Sequence, residues 1–133
     1  MTLKKTKLLN VTSVTGIATV GILTVGTTST GGGVGIASTT YIRSVVMHNT
    51  GLGTARTSLY IYPDGVAATG AAQTAYRILR VDLAPSETTF FETNYPITLT
   101  GSDKLVVEVN APDSGGTGIG SAVNFLVNGD TDI

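Results

Sequence analysis

A regular alternation of short strands and turns through the second half of the chain constrains the fold most. Residues 76–83 (YRILRVDL) alternate in side-chain character and end at a turn, residues 84–87 (APSE). The same pattern recurs toward the end of the chain. Further strands are predicted at residues 88–92, 96–100, 104–109 and 122–127. Short strands at this spacing are typical of an antiparallel sandwich or barrel.

The first half of the chain contains its strongest strand at residues 40–49. Residues 50–53 (TGLG) have turn chemistry, and residues 54–62 form a second strand, so the pattern predicts a hairpin. The fold class that follows is all-β. We expect an antiparallel β-sandwich of about eight strands, preceded by an extended N-terminal arm or strand pair. Jelly-roll and immunoglobulin-like strand orders both remain open.

Residues 1–26 have two interpretations. A basic start followed by apolar residues imitates a secretory signal, but Asn10, Thr12 and Ser13 interrupt the apolar stretch. Because β-branched residues and glycine disfavour a helix, we expect first strands or an extended arm, with a cleaved signal as the alternative. No segment approaches the roughly 18 consecutive apolar residues of a membrane span, so no membrane partner is predicted.

A glycine-rich segment, residues 27–38 (TTSTGGGVGIAS), follows this region. A phosphate-binding loop needs a strand before it, a helix after it and usually a lysine, and this segment leads into another strand without one. We therefore predict a long loop and no cofactor. The predicted organisation is residues 1–26 as the N-terminal strands or arm, residues 27–38 as the loop and residues 39–133 as the sandwich body.

The period of two along each strand predicts which side chains face the core. On residues 54–62, Leu59 and Ile61 share one face and Tyr60 and Tyr62 the other. The remaining predicted core sets are Leu79, Val81 and Leu83; Leu105, Val107 and Val109; and Val123, Phe125 and Val127.

Composition restricts the partners of this chain. Charged residues make up 13% of the sequence, against about 25% in an average domain. The net charge is −1, and no basic patch suited to a nucleic-acid backbone is visible, so nucleic acid is not a predicted partner. Low charge together with 17 glycines indicates a surface covered by other subunits, although a threonine-rich soluble domain is the alternative. The absence of cysteine excludes disulfides and thiolate metal sites.

No motif indicates catalysis. His48 is the only histidine, and a serine or threonine nucleophile would need it as the base. The carboxylates are scattered, and the Asp-x-Asp spacing at residues 130–132 lacks the rest of a calcium loop and is interpreted as a turn or frayed end. We predict no catalytic residue, no metal ligand and no enzymatic activity.

Two groups of residues are predicted to form interfaces. Tyrosines on a sheet face suit a subunit interface because they bury a large area and keep a hydrogen bond, although they could also stack on a sugar. A basic N-terminal arm could reach a neighbouring subunit. The predicted interface residues are Lys4, Lys5, Lys7, Tyr60, Tyr62, Tyr76 and Tyr95.

Several strand-and-turn motifs resemble a group of small virion proteins of tailed bacteriophages. In that group a strand carrying "sI.vhNtg" is followed by an "LapgEt" turn and a "pi.L..gD.L.v" element. The matching segments here are residues 41–51 (YIRSVVMHNTG), 58–65 (SLYIYPDG), 76–92 (YRILRVDLAPSETTFFE), 95–109 (YPITLTGSDKLVVEV) and 123–130 (VNFLVNGD). These motifs cover about two thirds of the chain and carry no catalytic signature.

The resemblance implies a non-enzymatic β-sandwich that decorates or cements a capsid, or that joins neck and tail parts. Its partners would be identical subunits and major capsid or neck and tail proteins, and its location the virion, assembled in the bacterial host cytoplasm. The alternative is a receptor- or glycan-binding sandwich on a phage appendage or bacterial surface. No functional residue is carried over, because the group offers no active-site motif to match.

Overall fold

The computed structural model describes residues 3–15, 18–24, 27–28, 36–37, 39–67, 72–101, 103–110 and 122–132. Most of these residues lie in strands, and the only helical element among them is a 3₁₀ turn at Thr74–Tyr76. The strands are β1 (Leu3–Thr15), β2 (Ala18–Thr24), β3 (Thr27–Thr28), β4 (Ile36–Ala37), β5 (Thr39–Asn49), β6 (Ala55–Tyr62), β7 (Arg77–Leu83), β8 (Thr88–Thr100), β9 (Lys104–Asn110) and β10 (Ala122–Asp132). The predicted all-β sandwich is confirmed.

Two four-stranded sheets form the sandwich. Sheet A has the strand order β1-β10-β5-β8, and sheet B has the order β2-β9-β6-β7. The two-residue strands β3 and β4 pair only with each other. Among the other eight strands the pairing is nested and antiparallel: β1 with β10, β2 with β9, β5 with β8, and β6 with β7. This is the order of a jelly roll and not that of an immunoglobulin domain.

The predicted hairpin between residues 40–49 and 54–62 is wrong. β5 lies in sheet A between β10 and β8, whereas β6 lies in sheet B between β9 and β7. The turn at residues 50–54 therefore passes from one sheet to the other. A connection this short permits either course, because packed sheets are only about 10 Å apart.

Two regions form longer strands than the sequence predicts. Residues 88–92 and 96–100 belong to one strand, β8, which pairs with β5 on both sides of a bulge. The turn or frayed end predicted at the Asp-x-Asp segment is instead the last part of β10, a central strand. Gly129 makes this continuation possible, because a Cβ at that position would collide with the carbonyl oxygen of Tyr41.

The core lies between the two sheets, as the period of two predicts. Leu79, Val81 and Ile61 are partly buried and pack against it. The apolar side chains of this core that are at most 1% exposed are Ile42, Val45, Met47, Ala55, Leu59, Leu83, Leu99, Leu105, Val107, Val109, Val123, Phe125 and Val127. Every predicted core residue thus lies in this core or packs against it.

The buried side chain of Asn49 joins the two sheets at one end of the sandwich. Its Nδ2 donates hydrogen bonds to the carbonyl oxygens of Gly53 and Leu83, both at 2.9 Å. Its Oδ1 accepts a hydrogen bond from the backbone N–H of Gly51 at 2.8 Å. One amide therefore links the end of β5 in sheet A, the turn that follows it, and the end of β7 in sheet B.

The backbone of Asn49 also holds the β7–β8 turn. Its N–H donates to the carbonyl oxygen of Glu87, and its carbonyl oxygen accepts from the N–H of Ser86, both at 2.9 Å. Within that turn, Glu87 N–H donates to the carbonyl oxygen of Ala84 at 3.0 Å. The Asn-Thr-Gly and Leu-Ala-Pro-Ser-Glu motifs, which are far apart in sequence, therefore meet in space.

The segment interpreted as an N-terminal arm or strand pair supplies one edge strand to each sheet. β1 pairs with β10 in sheet A, and β2 pairs with β9 in sheet B. The predicted division into residues 1–26, 27–38 and 39–133 stays a prediction. Within the glycine-rich segment the structure describes only β3 and β4, and the rest lies outside the described residues.

Replacing Ser86 with glycine should stabilise the fold. Ser86 has a φ of 65°, a left-handed conformation that costs an L-residue about 1–2 kcal/mol and that glycine adopts freely. Allowing for the greater backbone entropy of glycine, we expect Ser86→Gly to raise the free energy of unfolding by about 0.5–1 kcal/mol. Urea unfolding measures this, and Ser86→Val should lower stability. Equal stability of the two variants would contradict the left-handed conformation of Ser86.

Two phenylalanines on sheet A should respond oppositely to truncation. Phe125 is fully buried on β10, and Phe90 is 63% exposed on β8. We expect Phe125→Ala to cost about 3–5 kcal/mol of unfolding free energy, and Phe90→Ala to cost less than about 1 kcal/mol. Chemical denaturation of both variants tests this, and similar losses would place Phe90 in the core instead of on the surface.

Candidate interaction surface

An apolar row crosses all four strands on the outer face of sheet A. It consists of Val11 on β1, Leu126 on β10, Val46 on β5 and Phe90 on β8. Val46 is the register partner of both Leu126 and Phe90, and Val11 lies in the β1 bulge opposite Leu126. These side chains face outward because their chain neighbours on β5 and β10 are buried in the core.

The apolar row is open to solvent at both ends. Val11 and Phe90 are each 63% exposed, and Val46 and Leu126 are half-buried. Isolated exposed apolar residues are normal on a protein surface, but a contiguous set with polar borders marks an interaction site. Exposed aromatic residues are also the side chains that most often dominate the binding energy of an interface.

Polar positions border the apolar row on both sides. The Glu92 row lies two residues away along β10, β5 and β8, and four residues away along β1, where the register shifts. In the order β1-β10-β5-β8 it consists of Lys7, Asn128, Ser44 and Glu92. The Thr88 row lies two residues away on the other side and consists of Ser13, Asn124, His48 and Thr88. The outer face thus has an apolar centre and a polar rim, which is the usual anatomy of a protein interface.

The β8 edge of sheet A carries a bulge. Glu92 pairs with Ser44 and Ile97 pairs with Ile42, so residues 93–96 stand opposite a single residue of β5. Within the bulge the Thr93 hydroxyl donates to the carbonyl oxygen of Tyr95. Bulges and prolines on an edge strand hinder pairing with a strand of another molecule.

An ion pair lies on the same face beyond the Glu92 row. The Arg43 Nε lies 2.6 Å from Asp130 Oδ2, and the Asp130 side chain is only 3% exposed. Among the described residues, Asp130 Oδ1 has no hydrogen-bond partner. The Asp-x-Asp segment therefore places one carboxylate in a pair with arginine and not in a loop of oxygen ligands.

Three of the four predicted interface tyrosines form a second, smaller core on the outer face of sheet B. Tyr60 and Tyr62 are 0% and 1% exposed, and they pack with Val106, Val66 and Tyr76. The ring centroids of Tyr62 and Tyr76 are 5.5 Å apart, in an edge-to-face arrangement. Tyr60 and Tyr62 therefore lie on the face opposite the main core, as the period of two predicts, but they are buried there and not open to a partner.

The chain segment between β6 and β7 covers this cluster. The backbone N–H of Gln73 donates to the Tyr62 hydroxyl at 2.9 Å, and Lys104 Nζ donates to the carbonyl oxygen of Val66 at 2.9 Å. An interface role for Tyr60 or Tyr62 would require this segment to move away. The role of Tyr76, which is half-buried, stays a prediction.

The Tyr60 hydroxyl donates a hydrogen bond of 2.8 Å to Glu108 Oε1. Burial raises the pKa of this hydroxyl, and the hydrogen bond and negative charge of Glu108 raise it further. Hydrogen bonds with Ser58 and Arg77 act in the opposite direction without reversing the shift. The neutral phenol is thus the form that the folded protein prefers.

Tyr95 is separate from the other tyrosines. It lies in the β8 bulge of sheet A and is 85% exposed. It and Phe90 are the large exposed aromatics of the described residues, and both belong to the same edge strand. Tyr95 is therefore the predicted tyrosine best placed to contact a partner.

The predicted interface lysines lie on β1. Lys4, Lys5 and Lys7 pair with residues 128–131 of β10, so the basic start of the chain belongs to an edge strand of sheet A. Their side chains lie outside the described residues, and their interface role stays a prediction.

His48 lies in the Thr88 row, where its Nδ1 is 2.7 Å from the Thr88 hydroxyl. This pair sits on the open outer face of sheet A. For the Thr88 hydroxyl to act as a nucleophile with His48 as its base, a third group would also have to orient the imidazole. No such contact to the other ring nitrogen is seen among the described side chains. The prediction that the chain is not an enzyme stays a prediction.

Across the described part of the chain, no three His, Cys, Asp or Glu side chains are grouped so that they could hold a metal ion. In the same residues, no helix has the length and hydrophobicity to cross a membrane.

The apolar row was not predicted from the sequence, although a signal for it exists. Residues 45–47 (VVM), 90–91 (FF) and 125–127 (FLV) are runs of consecutive apolar residues within strands. Because side chains alternate across a sheet, each run must place at least one apolar residue on the outer face.

Comparisons with family models, with curated proteins and with solved structures gave no match to this chain.

The pH dependence of stability should reveal the buried Tyr60 hydroxyl. Its pKa is raised in the folded chain, so its contribution to stability is complete below the unfolded value of about 10 and is lost as pH rises through the folded value. Between about pH 9 and about pH 11, thermal stability should fall more steeply for the wild type than for Tyr60→Phe. Tyr95→Phe, at an exposed position, should keep the wild-type slope. Equal slopes for the two variants would contradict this account.

Proposed function

We propose that this chain is a non-enzymatic structural protein of a tailed-phage virion. It stabilises or decorates the capsid, or joins neck and tail parts, through interfaces with identical subunits and with major capsid or neck and tail proteins. The observation that carries the proposal is the apolar row on the outer face of sheet A, with its polar rim. The resemblance of the strand-and-turn motifs to small virion proteins supports the same class.

The architecture suits this role. Jelly rolls occur in viral capsid proteins, among other classes, and this one leaves the outer face of sheet A open to neighbours. With a net charge of −1 and 13% charged residues, identical copies repel one another only weakly. In a symmetric shell each modest contact is repeated many times, so no single interface needs to be strong.

The location that follows from this proposal is the virion, which is assembled in the cytoplasm of the bacterial host. Virions purified on a density gradient from cells that produce this chain should contain it in fixed stoichiometry to the major capsid protein, as measured by mass spectrometry. Its presence only in the unassembled fraction would overturn the proposal.

The variant Phe90→Glu should lose particle binding. A charge placed at the exposed aromatic end of the apolar row should weaken attachment about tenfold or more, since interfaces depend on a few aromatic contacts. Leu52→Glu is the matched control, because Leu52 is 92% exposed in the β5–β6 turn, away from the row. The difference in attachment is measured by cosedimentation of both variants with particles from which this chain has been removed. Equal loss in both variants would count against the apolar row.

The alternative function is a receptor- or glycan-binding module. Tyr95, 85% exposed in the β8 bulge, favours it, because an accessible ring can stack on a sugar. Tyr95→Ala should then abolish binding on a glycan array while particle incorporation is unchanged. Under the structural proposal the wild-type chain gives no array signal.

A further inference from the structure

Each of the three rows on the outer face of sheet A matches the same row of a second copy when that copy is turned so that its strand order runs in the opposite direction. When the apolar row is read from β8 to β1 and laid on itself, Phe90 meets Val11 and Val46 meets Leu126. Each of these pairs is apolar on apolar. A surface with this property fits a second copy of itself related by a two-fold axis.

The Glu92 row adds charge complementarity. By register it carries Lys7 at the β1 end and Glu92 at the β8 end, with Asn128 and Ser44 between them. Reversal brings the position of Lys7 in one copy opposite that of Glu92 in the other. Because the axis is two-fold, this opposite-charge pairing forms twice, once on each side of the axis. No like charges of this row are placed opposite each other.

The Thr88 row behaves in the same way with hydrogen-bonding groups. Reversal places Thr88 opposite Ser13 and His48 opposite Asn124, so every position faces a group that can donate or accept. None of the three rows therefore opposes an apolar residue to a charge.

We infer that two copies of this chain pack face to face through the outer faces of sheet A. The two-fold axis runs parallel to the strands, between β10 and β5, so that β8 of each copy lies over β1 of the other. This inference rests on the proposed function, since it names the identical subunit as the partner of the apolar row. Sheets packed in this way keep their strands within about 30° of each other.

Two other arrangements fit the surface less well. An axis across the strands would place the Glu92 row over the Thr88 row, so that Lys7 would lie opposite Ser13 and both charges would lose their partners. Pairing through the β8 edge would meet the bulge at residues 93–96, which interrupts the ladder. The parallel axis alone satisfies all three rows.

The contact is small. Four strands about 4.8 Å apart and five residues along β10, β5 and β8 give a footprint of roughly 20 Å by 17 Å, or about 330 Å² per copy. Stable interfaces bury about 800 Å² per partner, so isolated dimers should be weak. In an assembly, symmetry repeats the contact.

Charge reversal provides the test. Sedimentation equilibrium of the full chain should show a weak monomer–dimer equilibrium at chain concentrations up to about 0.5 mM. Lys7→Glu and Glu92→Lys should each weaken dimers about tenfold, and the double variant should return to within about threefold of wild type. Leu52→Glu should have no effect. A monomeric wild type, or a double variant no better than the singles, would overturn the inference.

Thiol cross-linking gives an independent readout that does not rely on charge. The chain has no cysteine, so single-cysteine variants react only at the chosen site. With a bismaleimide linker about 10 Å long, the spacing of packed sheets, a mixture of Val11→Cys and Phe90→Cys chains should form the mixed dimer in preference to either homodimer. The proposed axis places these two positions opposite each other and keeps like positions three strands apart. Preferred homodimers would exclude the parallel axis.

The two proposals fail separately. If the chain is present in virions but does not dimerise through this face, only the dimer is wrong. If it dimerises as described but is absent from virions, the dimer stands and the proposed function is wrong.

Discussion

One buried amide determines how the turns at one end of the sandwich are arranged. Asn49 is fully buried at the end of β5, and its side chain reaches the carbonyl oxygen of Leu83 at the end of β7 in the other sheet. A buried amide without partners costs several kilocalories per mole, so the two sheets must meet in this register. The same residue binds the backbone of Ser86 and Glu87. The chain therefore crosses between the sheets at this point instead of folding back as a hairpin.

The strands and their faces could be predicted because the period of two is a local property. Leu105, Val107 and Val109 face the core as their spacing predicts. Pairing could not be predicted, because the turn chemistry at residues 50–53 suits a hairpin and a crossing between sheets equally well. Only β6 and β7 are consecutive and paired within the two sheets. The choice of a jelly roll depends on contacts between residues far apart in the chain.

For the candidate surface, too, some features could be predicted from the sequence and others could not. Alternation placed Tyr60 and Tyr62 opposite the core correctly, but it could not show that the β6–β7 segment covers them. The apolar row depends on the register of four strands drawn from both ends and the middle of the sequence. Its members are ordinary strand residues, and only their alignment makes them a surface. The charged ends of the Glu92 row become complementary for the same reason.

The nested strand order also has a consequence for biosynthesis. β10 follows all the other strands of the two sheets along the chain, yet it occupies the middle of sheet A between β1 and β5. β1 precedes those strands and has no neighbour in its sheet until residues 122–132 of β10 have been translated. During that interval the nascent chain exposes unpaired strand edges, which favour aggregation. A product terminated before residue 122 would lack the middle of a sheet, so chaperones and proteases could readily distinguish it from the finished protein.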